Sequence, residues 1–352
     1  MPSADIATIQ VFPSPDAMPP DAAALFGHAD NLFGRRYWWN TVVASAMAAG
    51  TQAAFAVCRL GTRPLALFPM RRTVSGALES LTTPYSCLYT PLLTPGMTTD
   101  ESRVVFAAFG MFCRSSAVTR LDAIPDAWPG LEALTAGARA AGLAVRPFQH
   151  FGNWHEDISG RDWTGYLAGR PGAARETVRR RLRRAERQAN AGFVIHRDAP
   201  DIESGIAAFE SVYARSWKEP EPFPDFNASL MRATAQAGIA RLGIWSLGGQ
   251  PVAAQFWIVE DGRATVLKLA HDEAFKPHSP GTVLTALMIR HLIDEEHVTG
   301  LDFGRGDDPY KQGWVGFRRQ CIGLMLFNPL RPSGLLGLAR HTIGRLRASL
   351  RR

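Results

Sequence analysis

A short internal repeat constrains this chain more than any other feature. Leu60-Gly61-Thr62-Arg63-Pro64-Leu65-Ala66 returns as Leu247-Gly248-Gly249-Gln250-Pro251-Val252-Ala253. Each copy lies between two apolar runs: Ala54 to Arg59 and Leu65 to Met70 in the first, Arg241 to Ser246 and Val252 to Val259 in the second. A Gly-containing turn followed by Pro at the start of a strand predicts a β-hairpin. A helical stretch precedes each hairpin, Tyr37 to Ala49 and Phe226 to Gly238, so the repeating unit extends beyond the hairpin and reads as a duplicated α/β lobe. The 352 residues suffice for two such lobes, each with its own core. The expected division is 1–155 for an N-terminal lobe, 156–330 for a C-terminal catalytic lobe and 331–352 for a basic tail helix.

The second lobe can be followed element by element. Thr177 to Ala191 reads as a basic helix, Phe193 to His196 as a short strand, and Ile202 to Trp217 as a helix with Ile206, Phe209, Val212 and Tyr213 at helical spacing. After the hairpin, the turn Glu260-Asp261-Gly262 leads to a third strand, Ala264 to His271. Ser279-Pro280-Gly281-Thr282 then opens a helix whose Val283, Leu284, Leu287, Met288 and Leu292 form one apolar face. The strand Leu301-Asp302-Phe303 runs into Gly304-Arg305-Gly306-Asp307-Asp308-Pro309-Tyr310-Lys311, and Cys321 to Phe327 is expected as the last strand of this lobe.

Composition removes several function classes. Cys58, Cys87, Cys113 and Cys321 stand far apart with no CxxC pair and no His at ligand spacing, so they read as buried reduced thiols, and no metal is expected. No local motif of a serine or cysteine hydrolase is present. No run approaches the roughly 20 apolar residues of a membrane helix, and Met1-Pro2-Ser3-Ala4-Asp5 lacks a signal core, so a cytoplasmic location is expected. The net charge of +7 is local: residues 175 to 187 hold seven Arg against two Glu, and residues 331 to 352 hold six Arg and no acid. Everything else is net acidic.

Four places carry chemistry. Ser at a helix N-cap with Pro at the first position leaves unpaired N–H groups and a partial positive charge, and Gly281 permits close backbone approach, which suits a pyrophosphate held at Ala270, Ser279, Pro280, Gly281 and Thr282. Transfer of a group to a nucleophile needs a base to take the nucleophile's proton and an acid to protonate the leaving group. Asp302 can be that base and Tyr310 that acid; equally, Asp302 can be a loop carboxylate and Tyr310 a packed ring. Lys311 can bind an anionic substrate group, and it is one of only four Lys among 39 basic residues. His271 and Asp272 end the strand before the helix that Ser279 opens, where either can act through a water or form an ordinary strand-end polar pair, and Trp217 is a candidate substrate platform or a core residue. Arg175, Arg179, Arg183 and Arg187 share a helix face, which reads as a solvated surface or as an anchor, through Arg179 and Arg183, for an anionic substrate. The stretch Gly334 to Arg352, with Leu335, Leu338, Ile343, Leu346 and Leu350, reads as a docking helix or a membrane-surface contact.

These motifs, with Trp314 and Tyr85-Ser86-Cys87-Leu88-Tyr89-Thr90-Pro91-Leu92, resemble the GNAT acyltransferases of the BioF-like and CelD/BcsL type, associated with cellulose and exopolysaccharide synthesis and similar in fold to the Fem peptidoglycan ligases. The resemblance spans roughly residues 35 to 330. It implies tandem GNAT lobes, each a mixed, mostly antiparallel sheet flanked by helices. It also implies acetyl-CoA or another acyl-CoA as donor and a small-molecule or glycan-precursor acceptor of the cell envelope. A Fem-like aminoacyl-tRNA ligase and a non-catalytic polysaccharide-assembly factor are the alternatives, although the Arg-rich helix lacks the aromatic residues of a nucleic-acid surface.

Overall fold

The computed structural model describes residues 7–349 and, in the last helix, side chains up to residue 344. Met1 to Asp5 and the side chains of Leu346 and Leu350, used in the sequence reading, lie outside what is described. The chain forms two compact units, one made of the residues up to Phe151 together with those from Gln320 onward, the other of Gly152–Arg319.

The first unit contains β1 (Ala7–Phe12), α1 (Pro20–Ala23), α2 (Arg36–Ser45), β2 (Gln52–Leu60), β3 (Arg63–Arg72), β4 (Leu78–Ser80), β5 (Leu92–Leu93), α3 (Thr99–Cys113), β6 (Val118–Pro125), α4 (Leu131–Ala140) and the beginning of β7 (Ala144–Asp157). The second contains the end of β7, α5 (Trp163–Ala168), α6 (Gly172–Glu186), β8 (Ala191–His196), α7 (Ile202–Ala214), α8 (Pro224–Gln236), β9 (Ala240–Leu247), β10 (Gln250–Glu260), β11 (Arg263–His271), α9 (Pro280–Asp294) and β12 (Gly300–Arg305). β13 (Phe317–Phe327) and α10 (Pro332–Ser349) complete the chain.

Strand order runs β1-β2-β3-β4-β6-β13 in the first unit and β8-β9-β10-β11-β12-β7 in the second. In both, the fourth and fifth strands are parallel, β4 with β6 and β11 with β12, and every other neighbouring pair is antiparallel. The sequence repeat marks the same hairpin twice, β2-β3 and β9-β10. Even its defect is repeated. Arg59 pairs with Pro64 and Cys58 with Ala66, which leaves Leu65 as an extra residue; Ser246 pairs with Pro251 and Trp245 with Ala253, which leaves Val252 extra. Proline has no N–H for the ladder and is tolerated in sheets at bulges, so the shared Pro accounts for the shared bulge.

The partner of the last strand departs from expectation. Cys321 to Phe327 belongs to the first unit, where Ile322 to Phe327 pair with residues Val118 to Ile124 of β6, and the sixth strand of the second unit is the end of β7. Alternating apolar residues identify a strand, but they carry no label for its neighbour.

The core of the second unit lies between the sheet and the helices α6 and α9. Val283, Leu284, Met288, Ile289 and Leu292 of α9 meet Trp257, Val252 and Val266 of the sheet and Val178, Leu182 and Ala185 of α6. The first unit has an aromatic core in which Phe68 of β3 stacks on Phe109 of α3 at 3.9 Å between ring centroids. All four cysteines are buried; burial pushes the Cys58 thiol up to about 11 and that of Cys113 to about 12. Among the described residues no helix is long and apolar enough to cross a membrane.

Candidate active site

Two neighbouring strands of the second unit part company halfway along. β11 and β12 pair in parallel only from Arg263↔Gly300 to Thr265↔Asp302, although β11 continues to His271 and β12 to Arg305. Both strands are bent by an extra residue just past the last rung. Phe256 pairs with Lys268 and Trp257 with Val266, so Leu267 bulges from β11. On β12, Phe303 and Gly304 fall between the rungs Asp302↔His155 and Arg305↔Asn153, with Gly304 at φ 64°. Bulges of this kind bend and twist a strand away from its partner. Past Thr265 the stretch from Val266 to His271 makes no rung with β12, and a strand edge without a partner is the kind that binds an extended, amide-bearing ligand by main-chain hydrogen bonds.

Along β11 this gap leads to the start of α9. Ser279 was expected to cap that helix with its side chain. It is instead left-handed, with φ 56° and ψ 48°, and makes no capping hydrogen bond. The reason is local: the preceding 3₁₀ turn Glu273–His278 closes on Ser279, whose N–H donates to the Lys276 carbonyl at 2.9 Å, and a residue before Pro is kept out of the right-handed helical region. The first turn of α9 holds no acidic residue. Helix α3 occupies the same place in the first unit and is closed: the Thr98 hydroxyl accepts from Glu101 N–H, the Glu101 carboxylate accepts from Thr98 N–H, and Asp100 adds a second negative charge. Of the two corresponding helix starts, only that of α9 keeps free N–H groups and a positive end for an anion.

The side chains around this start belong together. A β-carbon on Gly281 would stand 3.3 Å from His271 Nδ1. The His271 ring packs against Trp217 at 4.3 Å, and Lys218 Nζ lies 5.2 Å from the Trp217 ring centre. Trp217 is 47 % exposed and so is not a core residue. Burial lowers the His271 pKa; Glu273, with Oε1 3.5 Å from Nε2, opposes the shift and Lys276 adds to it. Ala270, one residue earlier, is buried opposite Ala254 of β10.

Helix α6 supplies a cation here, but not from the expected face. Val178, Leu182 and Ala185 turn inward, which places Arg181 beside the core: its Nη1 donates to Thr282 Oγ1 at 2.8 Å, and Arg184 Nη1 donates to the Pro277 carbonyl at 3.3 Å. Arg179 and Arg183 lie on the opposite, exposed side, where Arg179 bonds to Glu176 and Arg183 to the Arg179 carbonyl. Arg179, Arg183 and Arg187 form the solvated face, and the residue that reaches the start of α9, Arg181, is one the charge pattern does not single out.

The turn after β12 holds the remaining candidates. Leu301 and Phe303 belong to the core beside α9, so alternation turns Asp302 to the other face of the sheet. Asp302 is buried, and its Oδ1 accepts from Asn153 Nδ2 at 2.7 Å and Gly304 N–H at 2.8 Å, while Oδ2 has only the longer 3.4 Å contact from Arg319. Tyr310 lies on the 3₁₀ turn Pro309–Gly313, its ring 6.5 Å from that of Phe303. Although Tyr310 is 41 % exposed, partial desolvation and then the nearby Asp308 charge raise its pKa above the ordinary phenol value. Lys311 was expected to meet an anionic substrate group. Its ammonium is buried instead and donates to the carbonyls of Arg305 at 2.6 Å and Gly306 at 3.2 Å, so it ties the glycine turn together. Asp307 braces the same turn from outside through Arg318, Trp154 Nε1 and Gly152 N–H; chiefly the Arg318 hydrogen bond brings its carboxyl down to about 2.

One buried pair beneath the site was not singled out from sequence. Arg170 and Glu156 face each other with side chains 5 % and 4 % exposed and form two hydrogen bonds of 2.5 and 2.7 Å. Glu156 also accepts from Arg161 and Gly316 N–H, while Arg170 and the Tyr166 hydroxyl both donate to the Trp314 carbonyl. Burial alone would raise the Glu156 pKa; the guanidinium of Arg170 and the other donors outweigh it and hold the carboxyl below its ordinary value. The network fixes the segment that follows the turn after β12.

Residues 172–312 match the family model described as acetyltransferase (GNAT) domain. No curated protein sequence matches the chain. Among solved structures, FemX is 12% identical with a TM-score of 0.59, covering 88% of this chain and 96% of its own. The C-terminal domain of a chain described as a lysylphosphatidylglycerol synthetase, from Agrobacterium fabrum, is 12% identical with a TM-score of 0.58, covering 92% and 95%. A tandem GNAT protein from the clavulanic acid biosynthesis pathway is 11% identical with a TM-score of 0.52, covering 90% and 98%. At such identities the likeness is one of fold. The chain thus has a duplicated α/β fold of tandem GNAT-like kind, and the stretch that matches the GNAT acetyltransferase domain model lies within its second unit.

Proposed function

We propose that this protein moves an acyl group from acyl-CoA, with acetyl-CoA as the simplest donor, to an amine or hydroxyl of a cell-envelope or surface-polysaccharide precursor. The observation that supports this most is the gap between β11 and β12 leading to the uncapped start of α9. The donor's pyrophosphate would lie at the N–H groups of Gly281 and Thr282 beside Arg181, and its amide-bearing arm along the open edge of β11. Its thioester would then reach the level of Leu267 and Phe303. The acceptor's nucleophile attacks the thioester carbon, its proton passes toward Asp302 Oδ2, the C–S bond breaks, and Tyr310 protonates the departing thiolate. A phenol with a raised pKa stays protonated until that step. The acceptor class rests on the resemblance to the exopolysaccharide-associated proteins.

The test is thiol release from acetyl-CoA and longer acyl-CoAs in the presence of amino-sugar and hydroxyl acceptors. The proposal expects acceptor-dependent release that Tyr310→Phe suppresses. A second reading, a Fem-like ligase using aminoacyl-tRNA, is favoured by one observation, the exposed arginine face of α6. Salt-sensitive binding of tRNA with no binding of acyl-CoA would establish that reading and remove the first. A chain that binds neither donor would be a non-catalytic assembly factor.

A further inference from the structure

Helix α10 is amphipathic on both sides, in different ways. One stripe docks on the first unit: a β-carbon on Gly337 would stand 3.1 Å from the Phe327 ring, and the His341 ring lies 5.7 Å from that of Phe327. Gly334, next on the same stripe, is buried, and Leu338 is half-buried. The opposite side carries Leu335 at 55 %, Leu336 at 51 % and Ile343 at 49 % exposure, and Leu330 just ahead of the helix is 75 % exposed. Arg331 and Arg340 are exposed among them. From residue 331 to 352 the sequence holds six Arg and no acid. Large aliphatic side chains left in water beside a purely cationic row are what an interfacial helix presents to a bilayer. Two copies meeting through this segment would set arginine against arginine, since it holds no acid, whereas an anionic lipid surface complements its charge.

We propose that the outward face of α10 docks the protein on an anionic lipid surface, with Leu330, Leu335, Leu336 and Ile343 entering the interface and the arginines meeting lipid phosphates. A catalytic unit held at the membrane would meet lipid-linked or envelope acceptors where they occur. The docking surface lies on the first unit and does not depend on the chemistry proposed for the second.

The test is co-sedimentation of the full chain with vesicles of pure phosphatidylcholine or of phosphatidylcholine containing about a third phosphatidylglycerol. The expected result is binding to the anionic vesicles only, weakened as salt rises. Leu336→Glu with Ile343→Glu should lower the partition coefficient by at least about tenfold, and Arg340→Glu should lower it more weakly. These positions are solvent-facing, so circular dichroism and thermal midpoint should stay at wild type. Failure of the wild-type chain to sediment with anionic vesicles overturns the proposal, as does unchanged binding of the double variant. If the double variant instead abolishes a concentration-dependent dimer seen by sedimentation velocity, with no lipid binding, the face is an interface between copies and the lipid assignment is wrong.

Discussion

Replacing Gly281 by Asp should separate donor binding from folding, because the two effects have opposite signs at this position. The new β-carbon would stand 3.3 Å from His271 Nδ1, close enough for the ring to shift by a few tenths of an ångström. The carboxylate would point into the space in front of α9, where the pyrophosphate is proposed to lie. At an effective dielectric of about 20 and a separation of about 6 Å, one pair of like charges costs about 2.8 kcal/mol, or about a hundredfold in Kd. For the unliganded chain an acid in the first helical turn is favourable by about 0.3–1 kcal/mol. Calorimetric titration of acetyl-CoA should therefore show at least about a hundredfold loss of affinity, while urea unfolding stays within about 1 kcal/mol of wild type. An affinity reduced less than threefold would refute the placement of the phosphates. A collapse of stability would instead show that the 3.3 Å contact with His271 is less forgiving than argued.

Five further outcomes follow from the same structure. Arg181→Ala should weaken donor binding about three- to tenfold by titration, whereas Arg179→Ala with Arg183→Ala should leave it unchanged; the reverse pattern would restore the exposed face as the anion site. Tyr310→Phe should cut turnover by about 100- to 10,000-fold with donor affinity intact. Because its pKa is raised, the alkaline fall in wild-type rate from loss of this acid should begin above the ordinary phenol range, and a fall centred on pH 8 would assign it to another group. Arg170→Leu, which leaves Glu156 buried without its main partner, should cost about 3–5 kcal/mol in urea unfolding. Glu156 has a lowered folded pKa, so its contribution is complete above about 4.5 and is lost as pH falls from there through the folded value; a stability difference between wild type and Glu156→Gln that did not shrink as the pH fell below about 4.5 would contradict this.

Much of the second unit is readable from residues, and the exceptions have identifiable causes. The hairpins, the third strand and the helix from Pro280 onward follow from period and turn chemistry. So does the duplication, since Pro64 and Pro251 mark the repeated bulge. What the residues withhold is which strand neighbours which: nothing in Cys321 to Phe327 says that it pairs with β6. The gap between β11 and β12 was equally hidden, because a bulge at Leu267 leaves no turn residue behind and Gly304 alone does not show which way the chain bends. On α6 the apolar stripe Val178, Leu182 and Ala185 points to Arg181 beside it, but the density of arginine around the helix masks that signal. Ser279 and Lys311 show the remaining limit: a cap signal and an unpaired cation were both reasonable from sequence, yet a preceding 3₁₀ turn and a glycine turn with open carbonyls redirected them.

The central claim is that the duplicated fold holds one donor site, in the second unit alone. Calorimetric titration of acetyl-CoA into the full chain, fitted for stoichiometry, tests it most directly. The uncapped start of α9 and the capping box that closes α3 predict one molecule bound per chain. Two molecules per chain, or none across acetyl-CoA and the longer acyl-CoAs, would contradict the account.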